Sequence, residues 1–150
     1  MISQQPIFRV EAELADILDF GATPYGGRRV INILGGRVAG PRLEGRILPG
    51  GADWQIIRSD GAADIRARYT IESRQGAYVL VNSEGLRHGP PDVIARLARG
   101  EPVDPALYYF RTVMRFETAA PDLAWLNRIL ALARGMREAN AVKLDVFEVL

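Results

Sequence analysis

The sequence predicts an all-β fold: a single domain, residues 1–150, forming one antiparallel up-and-down β-barrel of about eight to nine strands with one short helix. Three observations predict this class. Many short segments alternate apolar and polar residues, and the connections between them are short and rich in glycine and proline. Paired glycines also lie inside a predicted strand, where they allow a sheet to bend and close. A two-sheet sandwich is the alternative.

The strands follow from this alternation in chain order. Residues 7–14 place Phe8 and Val10 on one side and Arg9 and Glu11 on the other, which is typical of a strand with one wet face. Residues 28–38 form a β-branched strand that contains Gly35-Gly36. Further strands are predicted at residues 43–48, 52–58, 63–73, 77–83, 107–117, 127–134 and 141–150.

The hairpins and helices are indicated by their end signals. Pro49-Gly50-Gly51, Asp60-Gly61 and Gln75-Gly76 fit tight connections between consecutive strands. A short helix is predicted after Pro90-Pro91, because Val93, Ile94 and Leu97 share one helical side and Gly100 suits the exit. Residues 121–126 are predicted to form one helical turn.

Composition excludes several function classes. The 19 basic and 18 acidic residues leave a net charge of +1 without a basic face, so we expect no nucleic-acid partner. No segment approaches a membrane-spanning length and the amino terminus has no leader pattern, so we expect no membrane partner and a cytoplasmic protein. The absence of cysteine excludes disulfides and thiol catalysis.

Five ordered blocks carry a family resemblance. They are GPRLEGRILPGGADW (residues 40–54), DIRARYTIES (64–73), VNSEGLRHGP (81–90), YYFRTVMRFET (108–118) and WLNRILALARG (125–135). With these blocks the chain resembles the small bacterial and fungal proteins of domain of unknown function 3237. The resemblance implies a compact lipocalin-like β-barrel with an internal cavity, often assembled as a homo-oligomer, and it implies no common reaction. Residues 136–141 depart from the pattern and predict a polar, exposed connection before the last strand.

Asp53 is the first candidate catalytic residue. It follows the double-glycine turn and precedes Trp54, so its carboxylate is predicted to stand at a cavity mouth beside the indole, with Trp54 as a wall of the ligand site. Partial burial there raises a carboxyl pKa and suits it to general acid or base chemistry. The alternative is that Asp53 caps backbone amides of the turn.

Arg111 is the second candidate, in the centre of an aromatic strand. It shares a face with Tyr109 and Glu117, opposite Phe110 and other apolar residues. In a polar cavity Arg111 binds a carboxylate or enolate oxygen, and Tyr109 and Glu117 contact the ligand beside it. If the aromatic even-numbered residues fill the interior instead, Arg111 is external and forms ion pairs between strands or subunits.

Three further residues complete the predicted site. Tyr69 lies opposite the charged face of its strand and is predicted to point inward, where its phenol donates to a substrate oxygen or to a neighbouring core group. His88, the single histidine, lies in a predicted rim loop and suits a proton shuttle, with a solvated loop residue as the alternative. Asn82 is predicted to line the same rim.

No metal and no other cofactor is predicted. A single histidine without cysteine leaves only carboxylates, and these have no recognised ligand spacing. The glycine pairs do not match a phosphate-binding loop, and there is no nucleophile elbow for a serine triad.

The sequence therefore supports two alternative functions. The first is a cofactor-free isomerase, cyclase or lyase that acts on an aromatic or polyketide-like small molecule, with Asp53 as the acid or base and Tyr69 and Arg111 as oxygen stabilisers. It predicts that these three residues converge on one cavity on the order of 300 Å³. The second is a non-catalytic carrier or sensor of an apolar small molecule, in which Asp53 and Arg111 hold the turn or a subunit contact.

Overall fold

The computed structural model describes all 150 residues, and they form ten antiparallel strands. The strands are β1 Phe8–Leu14, β2 Leu18–Thr23, β3 Gly26–Ala39, β4 Gly45–Ile47, β5 Ala52–Ile57, β6 Ala63–Ser73, β7 Tyr78–His88, β8 Tyr109–Thr118, β9 Ala131–Arg137 and β10 Ala141–Glu148. Helix α1 spans Pro91–Ala98, and 3₁₀ helices span Pro105–Leu107 and Pro121–Arg128. None of the helices has the length and apolar character needed to cross a bilayer.

The strands close into one barrel with an eight-position wall. Each strand pairs with its neighbours in sequence from β6 to β10, and β10 returns to pair with β1. Two wall positions are each shared by two short strands: β1 and β2 pair with β3 on one side, while β4 and β5 lie between β3 and β6. The predicted all-β, up-and-down barrel with one short α-helix is confirmed.

Gly35-Gly36 forms the corner at which β3 changes partners. Residues 27–32 of β3 pair with β5, whereas residues 36–38 pair with β4. The register between β1 and β3 also shifts at this point, with Glu13 opposite Gly35 and Leu14 opposite Ile33. Gly36 has a φ of 143°, which glycine adopts readily and other residues rarely do. The predicted bend is therefore a β-bulge that lets the wall curl.

One end of the barrel is filled by apolar side chains. Phe8 and Phe116 meet edge to face, with 5.8 Å between ring centroids, and Ile71 and Met114 are fully buried beside them. The 3₁₀ helix Pro121–Arg128 contributes the buried Leu126 to this end. The packed end supplies a continuous core, and the space inside the barrel lies towards the opposite end.

Three element predictions are wrong in detail. Strand β2 is absent from the predicted set because all but one of its side chains are exposed and they show no apolar alternation. Strand β7 continues five residues beyond the predicted end at residue 83, since it stays paired with both β6 and β8. Residues 127–128 are helical, and β9 runs on to Arg137, so Met136 and Arg137 belong to a strand rather than to an exposed connection.

Candidate functional site

The interior of the barrel contains one small, mainly apolar cavity of about 50 Å³. Its lining comes from the inward faces of strands β1, β3 and β5 to β10, and 11 of its 17 lining residues are hydrophobic. The polar or charged members are Asp53, Gln55, Ser83, Arg87, Thr112 and Arg137, together with the phenol of Tyr69. The cavity is smaller than the predicted hollow of about 300 Å³, because core side chains fill the other end.

Asp53 lies on β5 and points into this cavity. The turn before it packs against β6: a Cβ on Gly51 would lie 2.6 Å from the Cβ of Tyr69, so only glycine permits this approach. One carboxylate oxygen, Oδ1, accepts the backbone N–H of Arg66 at 3.0 Å, and Oδ2 accepts Nε2 of Gln55 at 2.7 Å. The carboxylate therefore faces the cavity and also joins β5 to β6.

The pKa of Asp53 is raised above its ordinary value of 3.8. Burial is the largest cause, because the apolar surroundings solvate a negative charge poorly. The hydrogen bonds from Gln55 and Arg66 and the positive charges of Arg87 and Arg137 oppose this effect without cancelling it. A carboxyl with a raised pKa can exchange protons closer to neutral pH than an exposed aspartate can.

The raised pKa predicts how stability depends on pH. The folded protein holds the Asp53 proton more tightly than the unfolded chain, so this stabilisation is complete below about pH 3.8 and is lost as the pH rises through the folded pKa. Asp53→Asn lacks this contribution. The free energy of unfolding of the wild type minus that of the variant should therefore fall across this interval, as measured by urea denaturation at a series of pH values. A difference that rises with pH would contradict it.

Three fully buried side-chain oxygen atoms have no hydrogen-bond partner, and all three belong to cavity-lining residues. They are Oε1 of Gln55, the hydroxyl of Tyr69 and Oγ1 of Thr112. Buried polar groups are normally paired, and leaving one unpaired costs about 1–3 kcal/mol. Their concentration at one place means that this cavity offers both donors and an acceptor to a guest.

Removing the hydroxyl of Tyr69 should stabilise the ligand-free protein. Tyr69→Phe deletes a buried group that has no partner in the chain, so we expect the free energy of unfolding to rise by up to about 1 kcal/mol. Tyr108→Phe is the matched control, because the Tyr108 hydroxyl accepts the backbone N–H of Arg137 at 2.9 Å. That variant should lose about 1 kcal/mol. Equal losses in both variants, measured by urea denaturation, would contradict the prediction.

The sequence reasoning missed the two arginines of the cavity. Arg87 is an inward residue of β7, in step with Val79, Val81 and Ser83, and Arg137 is the last residue of β9. The signal for Arg87 was the two-residue alternation continued past residue 83. The loop-like composition of residues 84–89 obscures this alternation.

A wider vestibule of about 380 Å³ adjoins the cavity beside α1. Arg87 and Arg137 line both spaces, so they mark the place where the two meet. Ile94 and Leu97 of α1 give the vestibule an apolar side, and Arg29 adds a further positive charge.

Arg111 does not belong to the cavity, and its predicted role there is wrong. The even-numbered residues of β8, including Phe110 and Phe116, are buried inside, so Arg111 and its odd-numbered neighbours lie on the outer face. Its guanidinium donates to the carbonyl of Phe110 at 2.9 Å and lies over the ring of Tyr109. This is the external placement that the sequence left open, although Arg111 forms no ion pair within the chain.

The other predicted ligand contacts are also on the outside of the barrel. Trp54 is 41% exposed because it alternates outward between Asp53 and Gln55. Tyr109 and Glu117 share the outer face of β8, and Asn82 lies on that of β7. His88 is an exposed strand residue whose ring stacks on Tyr109, with centroids 5.0 Å apart. Of the eight predicted site residues, only Asp53 and Tyr69 line the cavity, whereas His88, Tyr109 and Arg111 lie together on the outer face.

No three His, Asp or Glu side chains are grouped so that they could hold a metal ion. The polar groups that line the cavity are instead one carboxylate, two guanidiniums, three hydroxyls and an amide, contributed by Asp53, Arg87, Arg137, Tyr69, Ser83, Thr112 and Gln55. Such a set can bind a polar group of a small molecule and move a proton to or from it.

Comparison with known proteins places the chain among close relatives. It is 43% identical over 144 residues to the UPF0311 protein RPA1785 of Rhodopseudomonas palustris, covering 96% of this chain and 94% of the relative. The crystal structure of that conserved protein of unknown function matches with a TM-score of 0.93 at 41% identity, covering 100% and 98% of the two chains. A beta-barrel like protein from Acinetobacter baumannii matches with a TM-score of 0.85 at 40% identity, covering 99% and 96%.

A more distant structure shares the fold. A protein from Penicillium herquei, described as an enzyme, matches with a TM-score of 0.67 at 19% identity, covering 99% of this chain and 97% of the other. The model of the family described as protein of unknown function (DUF3237) matches residues 2–149, nearly the whole sequence. The family resemblance carried by the five sequence blocks is thereby confirmed. The chain belongs to the DUF3237 family.

Proposed function

We propose that the cavity and its vestibule bind a small organic molecule and that Asp53 moves a proton on it. The reaction class is a cofactor-free isomerisation, cyclisation or lyase step on an apolar or aromatic carbonyl compound. One observation carries this proposal: the unpartnered buried polar atoms of the chain all line the cavity into which the Asp53 carboxylate points. A guest with one polar group in an apolar frame would satisfy them.

The proton step follows from the positions of these groups. The ionised Asp53 accepts a proton from the carbon beside the substrate carbonyl, so that the C–H bond breaks and its electron pair moves into an enolate. The Tyr69 hydroxyl donates to the enolate oxygen, and the nearby guanidiniums of Arg87 and Arg137 stabilise its charge. In a substrate with a β,γ carbon–carbon double bond the enolate extends into a dienolate. Asp53 then returns the proton to the γ carbon while the double bond moves to the α,β position, which completes an isomerisation without a net change in atoms or electrons.

The sizes of the two spaces determine how such a guest would lie. The inner cavity of about 50 Å³ is smaller than the roughly 150 Å³ that admits benzene, so an aromatic ring does not fit there as the wall stands. The vestibule of about 380 Å³ has room for a ring beside Ile94 and Leu97. The reacting carbonyl would then enter between the arginines while the apolar body stays outside.

A carrier or sensor of a small molecule is the second candidate function. It is favoured by the hydrogen bond from the Arg66 amide to Asp53, which gives the carboxylate a structural use that needs no chemistry. Catalysis is favoured by the raised pKa of Asp53. The fold itself is compatible with catalysis, because the P. herquei protein that shares it is described as an enzyme.

Exchange of carbon-bound hydrogen for deuterium separates the two functions. We would incubate the protein in D₂O with phenylpyruvate, acetophenone and 1-indanone and follow the protons beside each carbonyl by NMR, with line broadening as the measure of binding. We expect at least one bound compound to exchange about tenfold or more faster than in buffer. Binding without faster exchange would support the carrier function and reject catalysis. If none of the three compounds binds, the proposal is overturned.

A further inference from the structure

Arg87 is a largely buried cation without a partner of its own. Its guanidinium forms no hydrogen bond and no salt bridge within the chain, and its nearest aromatic contact is the Phe110 ring, 5.8 Å from the centroid. Burial lowers the pKa of Arg87 to about 10, and repulsion from Arg137 adds to this effect. A buried charge is costly unless an opposite charge or hydrogen-bond acceptor meets it.

The surroundings of Arg87 are electropositive. Arg137 donates one hydrogen bond to the carbonyl of Ala141 at 3.2 Å, and Arg29 also acts on Arg87 with a positive charge. Asp53 is the single carboxylate among the groups that shift the pKa values of Arg87 and Arg137. Asp16 and Arg99 also line the vestibule, but neither is among the groups that shift the pKa values of Arg87 and Arg137. Arg29, Arg87 and Arg137 are therefore balanced at this place mainly by Asp53, and the adjoining vestibule of about 380 Å³ has room for a second negative group.

The two arginines also lie between the inner cavity and the vestibule. Arg87 and Arg137 line the inner cavity and the vestibule, so an anion held by both would leave an attached apolar group in the vestibule beside Ile94 and Leu97. A carboxylate matches a guanidinium fork through two parallel hydrogen bonds. A neutral amide of the same shape offers one oxygen and brings no charge.

We propose that the ligand is an organic acid whose carboxylate is bound by Arg87 and Arg137 at the junction of cavity and vestibule. This rests on the proposed function in that the same molecule presents its reacting carbonyl to Asp53, and it narrows the substrate class to oxo acids with an apolar body.

Benzoate and benzamide are matched probes for this site, because they differ only in carboxylate against amide. Their dissociation constants would be measured by NMR titration with the wild type and with Arg87→Met, which keeps an apolar chain of similar length. We expect benzoate to bind the wild type at least about tenfold more tightly than benzamide. Arg87→Met should weaken benzoate at least about tenfold and leave benzamide within about twofold.

Arg111→Met is the control, since it removes an arginine from the outer face of the neighbouring strand. It should leave the affinity for both probes within about twofold of the wild type. If Arg87→Met does not fold, we expect Arg137→Met to show the same weaker binding of benzoate and the same unchanged binding of benzamide. Equal affinity of the wild type for the two probes, or equal losses from Arg87→Met and Arg111→Met, would overturn the inference.

Asp53→Asn separates this inference from the proposed function. Removing the competing carboxylate should leave benzoate affinity unchanged or increase it, while deuterium exchange on phenylpyruvate falls. Selective benzoate binding without any exchange would support the anion site and reject the catalytic proposal. Exchange on neutral ketones with no preference for benzoate would reject the anion site and support catalysis.

Discussion

Gly36→Ala is expected to lower the free energy of unfolding by about 3 kcal/mol or more, which corresponds to a fall in Tm of about 10 °C for a chain of this size. An added Cβ would lie 2.1 Å from the carbonyl oxygen of Glu11, and backbone cannot move aside as a flexible side chain can. The φ of 143° adds strain for any other residue. Urea and thermal denaturation followed by circular dichroism would measure the loss.

The adjacent glycine supplies the control for this prediction. A Cβ on Gly35 would lie 3.6 Å from its nearest neighbour, the carbonyl oxygen of Ile47, and Gly35 has no positive φ. Gly35→Ala should therefore change the free energy of unfolding by less than about 1 kcal/mol. Equal effects of the two substitutions would mean that the corner tolerates a side chain and that the bulge does not depend on Gly36.

Asp53→Asn is expected to reduce the deuterium-exchange rate by about 10²- to 10⁴-fold, the usual contribution of a positioned general base. Asparagine has nearly the same shape and can still accept one of the two hydrogen bonds that Asp53 receives, but it cannot take up the proton. The wild-type rate should rise with pH through the raised pKa of Asp53, since the ionised form is the base. NMR exchange measurements over a pH series would check both expectations.

Asp64→Asn tests whether the loss is specific to the cavity. Asp64 lies on the outer face of β6, 3.7 Å from Arg66, and is absent from the cavity lining. This variant should retain the exchange rate within about twofold. A comparable loss from both substitutions, or a fully active Asp53→Asn, would remove Asp53 from the mechanism.

Much of the barrel could be predicted because its physical signals are local. Alternation along β6 assigns Ile65, Tyr69 and Ile71 to the interior, and they are buried. Glycine pairs and Pro-Gly turns correctly marked the corner of β3 and the entry to β5. The same alternation placed Tyr69 inside, opposite the charged face of its strand, whereas Asp53 was predicted at the cavity from its position after the double-glycine turn.

The rest of the site could not be predicted because two-residue periodicity does not say which face is inside. In β8 both faces carry aromatic residues, Phe110 and Phe116 on one and Tyr109 on the other, so the alternation left the side of Arg111 open and the predicted catalytic role required the side that the structure does not show. Arg87 and Arg137 lie at strand ends, where sheet pairing continues through polar sequence. Pairing with the neighbouring strands fixes such ends, as where Arg87 lies opposite Ala63 and Phe110, and the alternation of side chains does not show how far that pairing extends.

The two ends of the barrel differ in structure: one is filled by core side chains, and the other encloses the cavity. Phe8, Ile71 and Met114 secure the fold at the packed end, whereas Tyr69, Thr112 and Arg87 surround the guest space nearer α1. Under the proposed function, exchanging Thr112 or Arg87 should change which ligand is preferred, while Phe8, Ile71 and Met114 at the packed end are left in place. Such a division would let one scaffold acquire different ligand preferences, in evolution or in the laboratory, through positions outside its packed end.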